Sequence, residues 1–382
     1  MLKYRKEQEN TKPMSLPRLS KTIATAFLIT STFISKVEAG LYGFTHYNPY
    51  TKEERILKIN KVPEKLENYR VKMRQNLLML FRYAKEQNKD FIIVTHEGQD
   101  LLTKSLWEHG RDGYNRARVE KNAQDDAFLF NKDFTEQDPQ RYTPEYDYLR
   151  LVDAVAVNNV YCGNGYESKI SKNYKLNQIT IEQCSDDESI ELARINSLLE
   201  GKASYFFTDI NNAFNNTDDH ININDSSKNV FKVDTAQNIL IINDTSRFKT
   251  KDEFVNALLK TNYDIIVIKP LFDNIERFDN NDLQKLRFKK NGSKRLLLAE
   301  FNVSEASPHE YYWHRDWKIG NPEWLIRKSF DNKDNIITLY WHNTWKNIIS
   351  RHFRDIVKEG FDGVFFTGIE NYKYFEQQTP LE

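Results

Sequence analysis

Short runs of β-branched and aliphatic residues alternate along this chain with longer segments whose apolar residues recur every three or four positions. The runs at 41–47, 91–96, 153–159, 204–209, 239–243, 264–269, 295–302 and 362–367 read as strands, each bounded by polar or turn-forming residues. A ninth run, 230–234, competes for a place, so either it or 41–47 is expected outside the main sheet. Between the strands, Trp345, Ile348, Ile349, Phe353, Ile356 and Val357 form a helical stripe that Gly360 ends. Leu66, Met73, Leu77, Phe81 and Ala84 form another after Pro63. Ser185 and Glu188 have capping-box spacing ahead of Leu192, Ile195, Leu198 and Leu199, with Gly201 as the stop. These stripes are expected to be core. Strands alternating with helices imply a parallel α/β sheet, and eight such units imply a (β/α)8 barrel.

The N-terminus changes the picture at one end only. Arg18 and Lys21 precede an uncharged apolar run at 22–35, and Val37-Glu38-Ala39 offers small residues where a signal peptidase reads. Residues 1–39 are therefore expected to be a signal peptide, with Met14 as an alternative start and a membrane anchor as the rival reading. The barrel would then occupy 40–376 and a tail 377–382, in a secreted or periplasmic protein whose mature chain has no membrane span. Cys162 and Cys184 are the two cysteines, able to form a bridge in an oxidising compartment or to stay as unrelated thiols. The 55 basic and 55 acidic residues balance, so no basic stripe for nucleic acid is implied. No metal-ligand spacing, phosphate loop or nucleophile elbow occurs, and no cofactor is expected.

Chemistry concentrates in 295–325 and 340–375, where strand ends meet loops rich in aromatic and acidic residues. There Glu305-Ala306, Tyr312-Trp313, Asn321-Pro322-Glu323-Trp324, Tyr340-Trp341 with Trp345, and Gly360-Phe361-Asp362-Gly363-Val364 follow one another at regular gaps. In that combination the chain resembles the endo-α-1,4-polygalactosaminidase family of glycoside hydrolases (family 114), over about residues 65–375. The resemblance implies a TIM barrel, an amino-sugar polysaccharide as partner, and acids at strand ends. It also implies a circular permutation, because the Gly-Glu-Ala and Gly-Phe-Asp-Gly elements, early in the family, come last here. On that basis strand 362–367 should lie next to 91–96, or be separated from it by 41–47 alone.

Glycoside cleavage uses two carboxyl groups, one held protonated and one ionised. Glu305, Asp209 and Glu97 are the expected catalytic acids, with Glu300 and Glu370 as further candidates in a rewired site, Asp244 as a weak one, and Asp362 expected to hold a turn. The resemblance places Asn158, Lys269, Gln99 and Thr367 where the family has carboxylates, and Glu300 and Asn302 where it has Tyr and Ser. Asn158, Lys269, Glu300, Trp313, Trp341, His342 and Thr367 are expected to line the substrate cleft, while Trp317 and Trp324 pack its loop. A lysine in the ring would favour a polar or anionic ligand and lower neighbouring pKa values. Three readings follow: a hydrolase, a degenerate barrel that binds sugar without cleaving it, and a scaffold for protein partners.

Overall fold

The computed structural model describes residues 42–48, 53–59, 67–104, 108, 143–167, 169–217, 226–330 and 332–378. The expected signal peptide, Pro63 and Leu66 lie outside the described residues. Eight parallel strands form the core: β1 (Ile92–His96), β2 (Ala154–Asn158), β3 (Asn177–Gln183), β4 (Ala203–Phe207), β5 (Ile239–Ile242), β6 (Ile265–Ile268), β7 (Leu296–Asn302) and β8 (Gly363–Thr367). They neighbour one another as β4-β3-β2-β1-β8-β7-β6-β5. A parallel bridge between Ser204 and Asn238 then brings β4 beside β5 and nearly closes the sheet into an α/β barrel. There the Ser204 N–H donates to the Gln237 carbonyl at 3.3 Å.

Strand membership differs from the sequence reading in two places. Tyr42–Asn48 pairs with Glu53–Ile59 in a separate two-stranded antiparallel sheet, and 230–234 forms no strand. The missing barrel strand is β3, whose Ile179 and Ile181 alternate with Thr180 and Glu182. Thr180 and Glu182 are buried and satisfied. Thr180 shares a 2.8 Å hydrogen bond with Ser204, and Glu182 accepts the N–H groups of Val160, Tyr161 and Cys162. A polar interior on one side of a strand erases the continuous apolar run by which a parallel strand is usually read. β8 lies beside β1, as the permutation requires. Any barrel wound in chain order has that adjacency, so the permutation rests on motif order alone.

Two helices pack as their stripes imply. Helix α1 (Tyr69–Gln87) buries Met73, Leu77, Phe81 and Ala84. Its N-cap Asn68 accepts the Val71 N–H, and Phe81 meets Phe366 of β8 at a ring distance of 5.0 Å. The long helix Asn343–Glu359 buries Trp345, Ile349, Phe353 and Ile356 and ends on Gly360 at φ 100°, a left-handed C-cap natural to glycine. Helix α2 (Asp187–Leu199) departs from expectation. Its capping box is Asp186 with Ser189, and its buried face is Ile190, Ala193 and Ser197. Leu192 and Leu199 are 59% and 80% exposed, with Ile195 and Leu198 also turned outward. The helix sits on Cys184 and Phe206 through its smaller residues, which permit the closer approach.

Cys162 and Cys184 form a disulfide beside this helix, with Cα atoms 5.1 Å apart. The bridge ties the loop after β2 to the end of β3. Replacing both cysteines by alanine is expected to lower stability by about 3 kcal/mol through lost loop-closure entropy. A lower urea midpoint would show it; an unchanged midpoint would mean that the thiols are not bridged in solution.

The N-terminal end of the barrel is pinned by aspartates that each precede a strand. Asp153, Asp264 and Asp362 accept the N–H of Ile93, Gln237 and Leu297 on the neighbouring strand or just before it, at 2.8, 2.8 and 2.9 Å. Lys85, Lys289 and Arg287 pair with them at 2.8, 2.6 and 2.9 Å. Asp362 thus holds register at the end of the barrel remote from the strand C-termini, in agreement with its reading as a turn-holding residue.

Candidate active-site cleft

The parallel strands deliver their C-terminal residues to one end of the barrel, where two clefts open among the described residues. The larger, of about 530 Å³, is lined from the ends of β5, β6 and β7 by Asn243, Asp244, Lys269, Glu300, Asn302 and Glu305. The segment between β7 and the 343–359 helix adds Glu310, Tyr312, Asp334 and Asn335, and that helix contributes Trp345 and His352. The smaller, of about 330 Å³, lies at β1, β2 and β8 and is lined by Glu97, Gln99, Asp100, Asn158, Glu370 and Lys373, among others.

Glu300 is the most chemically poised group in the larger cleft. Its strand delivers it to the barrel mouth, and its Oε2 is buried without a hydrogen-bond partner. Burial pushes its carboxyl above the ordinary range, with Glu305 adding to the rise; Lys269, a side-chain hydrogen bond from Asn243, and His96 oppose it. Glu310 is similar: its Oε2 is buried and unpartnered, and burial raises it against the pull of Lys269. Asp244 goes the other way. Burial acts to raise it, but the Ser246 N–H at 2.9 Å, the Asn215 amide and Lys269 together hold it below the usual range. Lys269 donates to Asn274 Oδ1 at 3.1 Å from a loop in which Asp273 and Asn274 both have positive φ, 50° and 59°. These two residues turn the hairpin between Leu271–Phe272 and Glu276–Arg277, a left-handed conformation that Asp and Asn adopt readily.

Glu305 has a different environment. One oxygen accepts Ser329 Oγ at 2.7 Å and Asn371 Nδ2 at 3.0 Å; the other accepts Asn302 Nδ2 and Asn335 Nδ2, each at 3.1 Å. Its side chain lines the cleft with both oxygens already engaged.

One wall of the cleft is aromatic. Tyr312 accepts the Ser307 N–H at 3.2 Å and packs edge-on against Trp345 at 5.8 Å. Burial pushes the His352 imidazole down to about 4, so it is neutral at ordinary pH, and it stands 5.6 Å from Phe301 and 5.3 Å from Tyr311.

In the smaller cleft the polar groups mainly satisfy one another. Glu97, at φ 57°, accepts the Asn158 N–H at 2.9 Å, and His96 Nε2 meets Asn158 Oδ1 at 3.0 Å. Gln99 donates to the Tyr166 carbonyl at 2.9 Å. Glu370 accepts the Gly98 N–H at 2.8 Å and pairs with Lys373, which also reaches Asp100 at 3.1 Å. Burial raises Glu370, with Lys373 opposing.

The expected site residues are therefore divided. Glu305, Glu300, Lys269 and Asp244 share the larger cleft, while Glu97, Asn158, Gln99 and Glu370 share the smaller. Thr367 ends β8 with its Oγ1 buried and unpartnered. Asp209 is exposed beyond the end of β4 and is among the lining residues of neither cleft. Nor are Trp313, Trp341 and His342. Trp313 packs on Trp317 at 5.4 Å, and Trp341 packs in a cluster with Tyr69 at 5.0 Å and Phe375 at 4.7 Å, which stand 5.6 Å from each other. His342 caps the 343–359 helix through the Thr344 N–H. Large apolar rings at a loop base gain more from such packing than from exposure. Glu310 and His352 carry no sequence signal as site residues, beyond the place of Glu310 in the acidic and aromatic loop after β7.

Among the described residues, no group of His, Cys, Asp or Glu side chains is placed to hold a metal ion, and no helix is long and apolar enough to cross a membrane. No family profile matches the chain. It is similar to an uncharacterized protein of Methanocaldococcus jannaschii, 25% identical over 160 residues, covering 40% of this chain and 45% of that protein. An uncharacterized protein of Deinococcus radiodurans is 26% identical over 119 residues, 31% of this chain and 37% of the relative. One of Thermotoga maritima is 28% identical over 81 residues, 21% and 25% respectively. The matched stretches span less than half the length of each relative.

Proposed function

We propose that this chain is an exported glycoside-hydrolase-like protein that acts on an amino-sugar-containing polysaccharide in the larger cleft. The observation that carries the reading is the divergence of two carboxyl groups lining that cleft: Glu300 pushed up by burial and Asp244 held down by hydrogen bonds and Lys269. Environments that separate two carboxyl pKa values provide a proton donor and a charged partner at the same pH. In this mechanism Glu300 protonates the departing glycosidic oxygen. Asp244, ionised, stabilises the positive charge that develops at the anomeric carbon and either bonds to that carbon, to be displaced later by water, or takes a proton from the water that attacks it.

In this proposal the roles expected of Glu305, Asp209 and Glu97 pass to these two residues, because four donors engage both oxygens of Glu305, while Asp209 and Glu97 are not among the lining residues of the larger cleft. The wall of Tyr312 and His352 offers apolar ring faces to a sugar. Asp244, Asp273, Glu300, Glu305, Glu310 and Asp334 face a single lysine, Lys269, among the lining residues. That surplus suits a ligand carrying ammonium groups and outweighs the preference for anions drawn from Lys269 alone. The disulfide supports export to an oxidising compartment.

A second reading, a barrel that binds the polymer without cutting it, draws on Asn158, Gln99, Lys269 and Thr367, which stand where the resemblance expects acids. Reducing-end release from a panel of galactosamine-containing and other exopolysaccharides separates the two. Release of new ends from an amino-sugar polymer is the expected result. Retention of that polymer without new ends would favour the binding reading, and neither retention nor release would sink both.

A further inference from the structure

We infer that Glu305 is a positioning residue that fastens the segment between β7 and the 343–359 helix onto the barrel mouth and so fixes one wall of the larger cleft. The inference concerns the same site as the proposed function and rests on that reading only where activity is the readout.

The geometry is specific. Four neutral donors converge on one carboxylate, and they come from three separate parts of the chain. Asn302 ends β7, Ser329 and Asn335 lie in the inserted segment, and Asn371 follows β8. The inserted segment has its own small sheet, in which Glu305–Ala306 pairs with Ile336–Thr338, and that strand pairs with Leu325–Lys328. Its far side is anchored by apolar packing through buried Trp324, Leu325 and Tyr340. The cleft side, where Asp334 and Asn335 sit, is held through polar groups, and Glu305 is their common acceptor.

The knot extends one step further. Asn371 also donates to Ser304 Oγ at 2.8 Å, and Asn302 Oδ1 accepts the N–H groups of Ser304 and Glu305 at 3.1 and 2.9 Å. Gly368, at φ 74°, leaves space for this arrangement, since a Cβ there would stand 2.3 Å from Asn302 Oδ1. Both lone-pair regions of each Glu305 oxygen are engaged, which leaves no oxygen free to deliver a proton to a ligand.

Only a carboxylate satisfies four donors in this way. In Glu305→Gln one oxygen becomes an NH₂ group that faces donors, so at least one amide or hydroxyl loses its acceptor in a buried site. Glu305 also acts on its neighbour through charge. The groups acting on Glu300 include Lys269 from the loop after β6, Asn243 from the end of β5, His96 from β1, and Glu305 itself, whose charge opposes ionisation there. Glu310, in the same cleft, interacts with Glu300 as a like charge.

Hydrogen-exchange mass spectrometry of the full chain tests the inference without a substrate. In Glu305→Gln, and separately in Ser329→Ala/Asn335→Ala, amides of 325–338 should exchange about tenfold faster or more, as expected for losing about one hydrogen bond to a charged group. Those of β1 and β8 should be unchanged. Unchanged exchange at 325–338 in both variants, or an equal increase throughout the barrel, would overturn it. If polysaccharide hydrolysis is detected, Glu305→Gln should raise KM more than it lowers kcat and should move the alkaline limb of the rate profile to lower pH. Abolished kcat with unaltered exchange would identify Glu305 as the acid instead. If no substrate is cleaved, the proposed function fails while the exchange result still decides this inference.

Discussion

Glu300→Gln is expected to lower kcat on the cleaved polysaccharide by about 10²- to 10⁴-fold, the range lost when a general acid is removed. Glutamine keeps the size and one acceptor of the side chain but cannot release a proton to a leaving oxygen. The measurement is initial reducing-end release at saturating polymer, across pH. In the parent, activity should fall as pH rises through the raised pKa of Glu300, because only the protonated form donates. The variant should show no such limb.

The same shift predicts what the substitution does to stability. A carboxyl whose folded pKa lies above its unfolded value binds its proton more tightly in the folded state. The stabilisation that comes with that proton is complete below the unfolded pKa and is lost as pH rises through the folded one. Above that window the buried carboxylate, with its unpartnered Oε2, works against folding. Glu300→Gln has no such charge, so at neutral pH it should unfold at the same urea concentration as the parent or a higher one. A loss of activity accompanied by a lower midpoint would point to damaged structure rather than to lost acid chemistry, and the assignment would fall.

The parts of this molecule that were legible in its sequence are those in which one physical requirement dominates. β5 and β6 are buried along their whole length, and their runs ILII and IIVI report that directly. The 343–359 helix carries one apolar stripe and one glycine stop, and both appear in the structure. Where two requirements compete, the pattern misleads. β3 alternates because Thr180 and Glu182 serve buried hydrogen bonds, so it reads as a polar loop. Helix α2 carries apolar residues on more than one face, and the buried face is chosen by the small residues that fit against Cys184 and Phe206.

The site divides in the same way. That strand ends bear the chemistry follows from barrel geometry, and it brought Glu300, Lys269 and Asp244 into view together. Which carboxyl is free and which is committed depends on partners remote in sequence. Glu305 is occupied by Ser329, Asn335 and Asn371, none of which its local motif announces. Trp341 is expected from its motif to line the cleft, but it is taken up in a ring cluster with Tyr69 and Phe375, both distant along the chain.

The largest effect on stability is expected from Lys289→Met, at about 3–5 kcal/mol of destabilisation. Lys289 and Asp264 form an ion pair whose side chains are 0% and 2% exposed, with Nζ 2.6 Å from Oδ1. The ammonium also donates to the carbonyls of Ser226 and Lys228, each at 3.1 Å. The other Asp264 oxygen accepts the Gln237 N–H, and the Asp264 N–H donates to Asn238 Oδ1, both at 2.8 Å. Gln237 and Asn238 are the residues through which β5 meets β4, so this pair holds the seam where the barrel nearly closes. Methionine retains the length of the lysine stem but leaves Asp264 as a buried carboxylate without its cation, and a lone buried charge is what makes breaking such a pair expensive. Asp264→Asn keeps an acceptor for Gln237 and removes the charge. The double variant Lys289→Met/Asp264→Asn should therefore be less destabilised than the sum of the two single changes. Urea midpoints of the four proteins, compared at equal m, measure the coupling. Additive losses would mean that the two charges do not depend on each other and that the seam is held by its backbone hydrogen bonds alone.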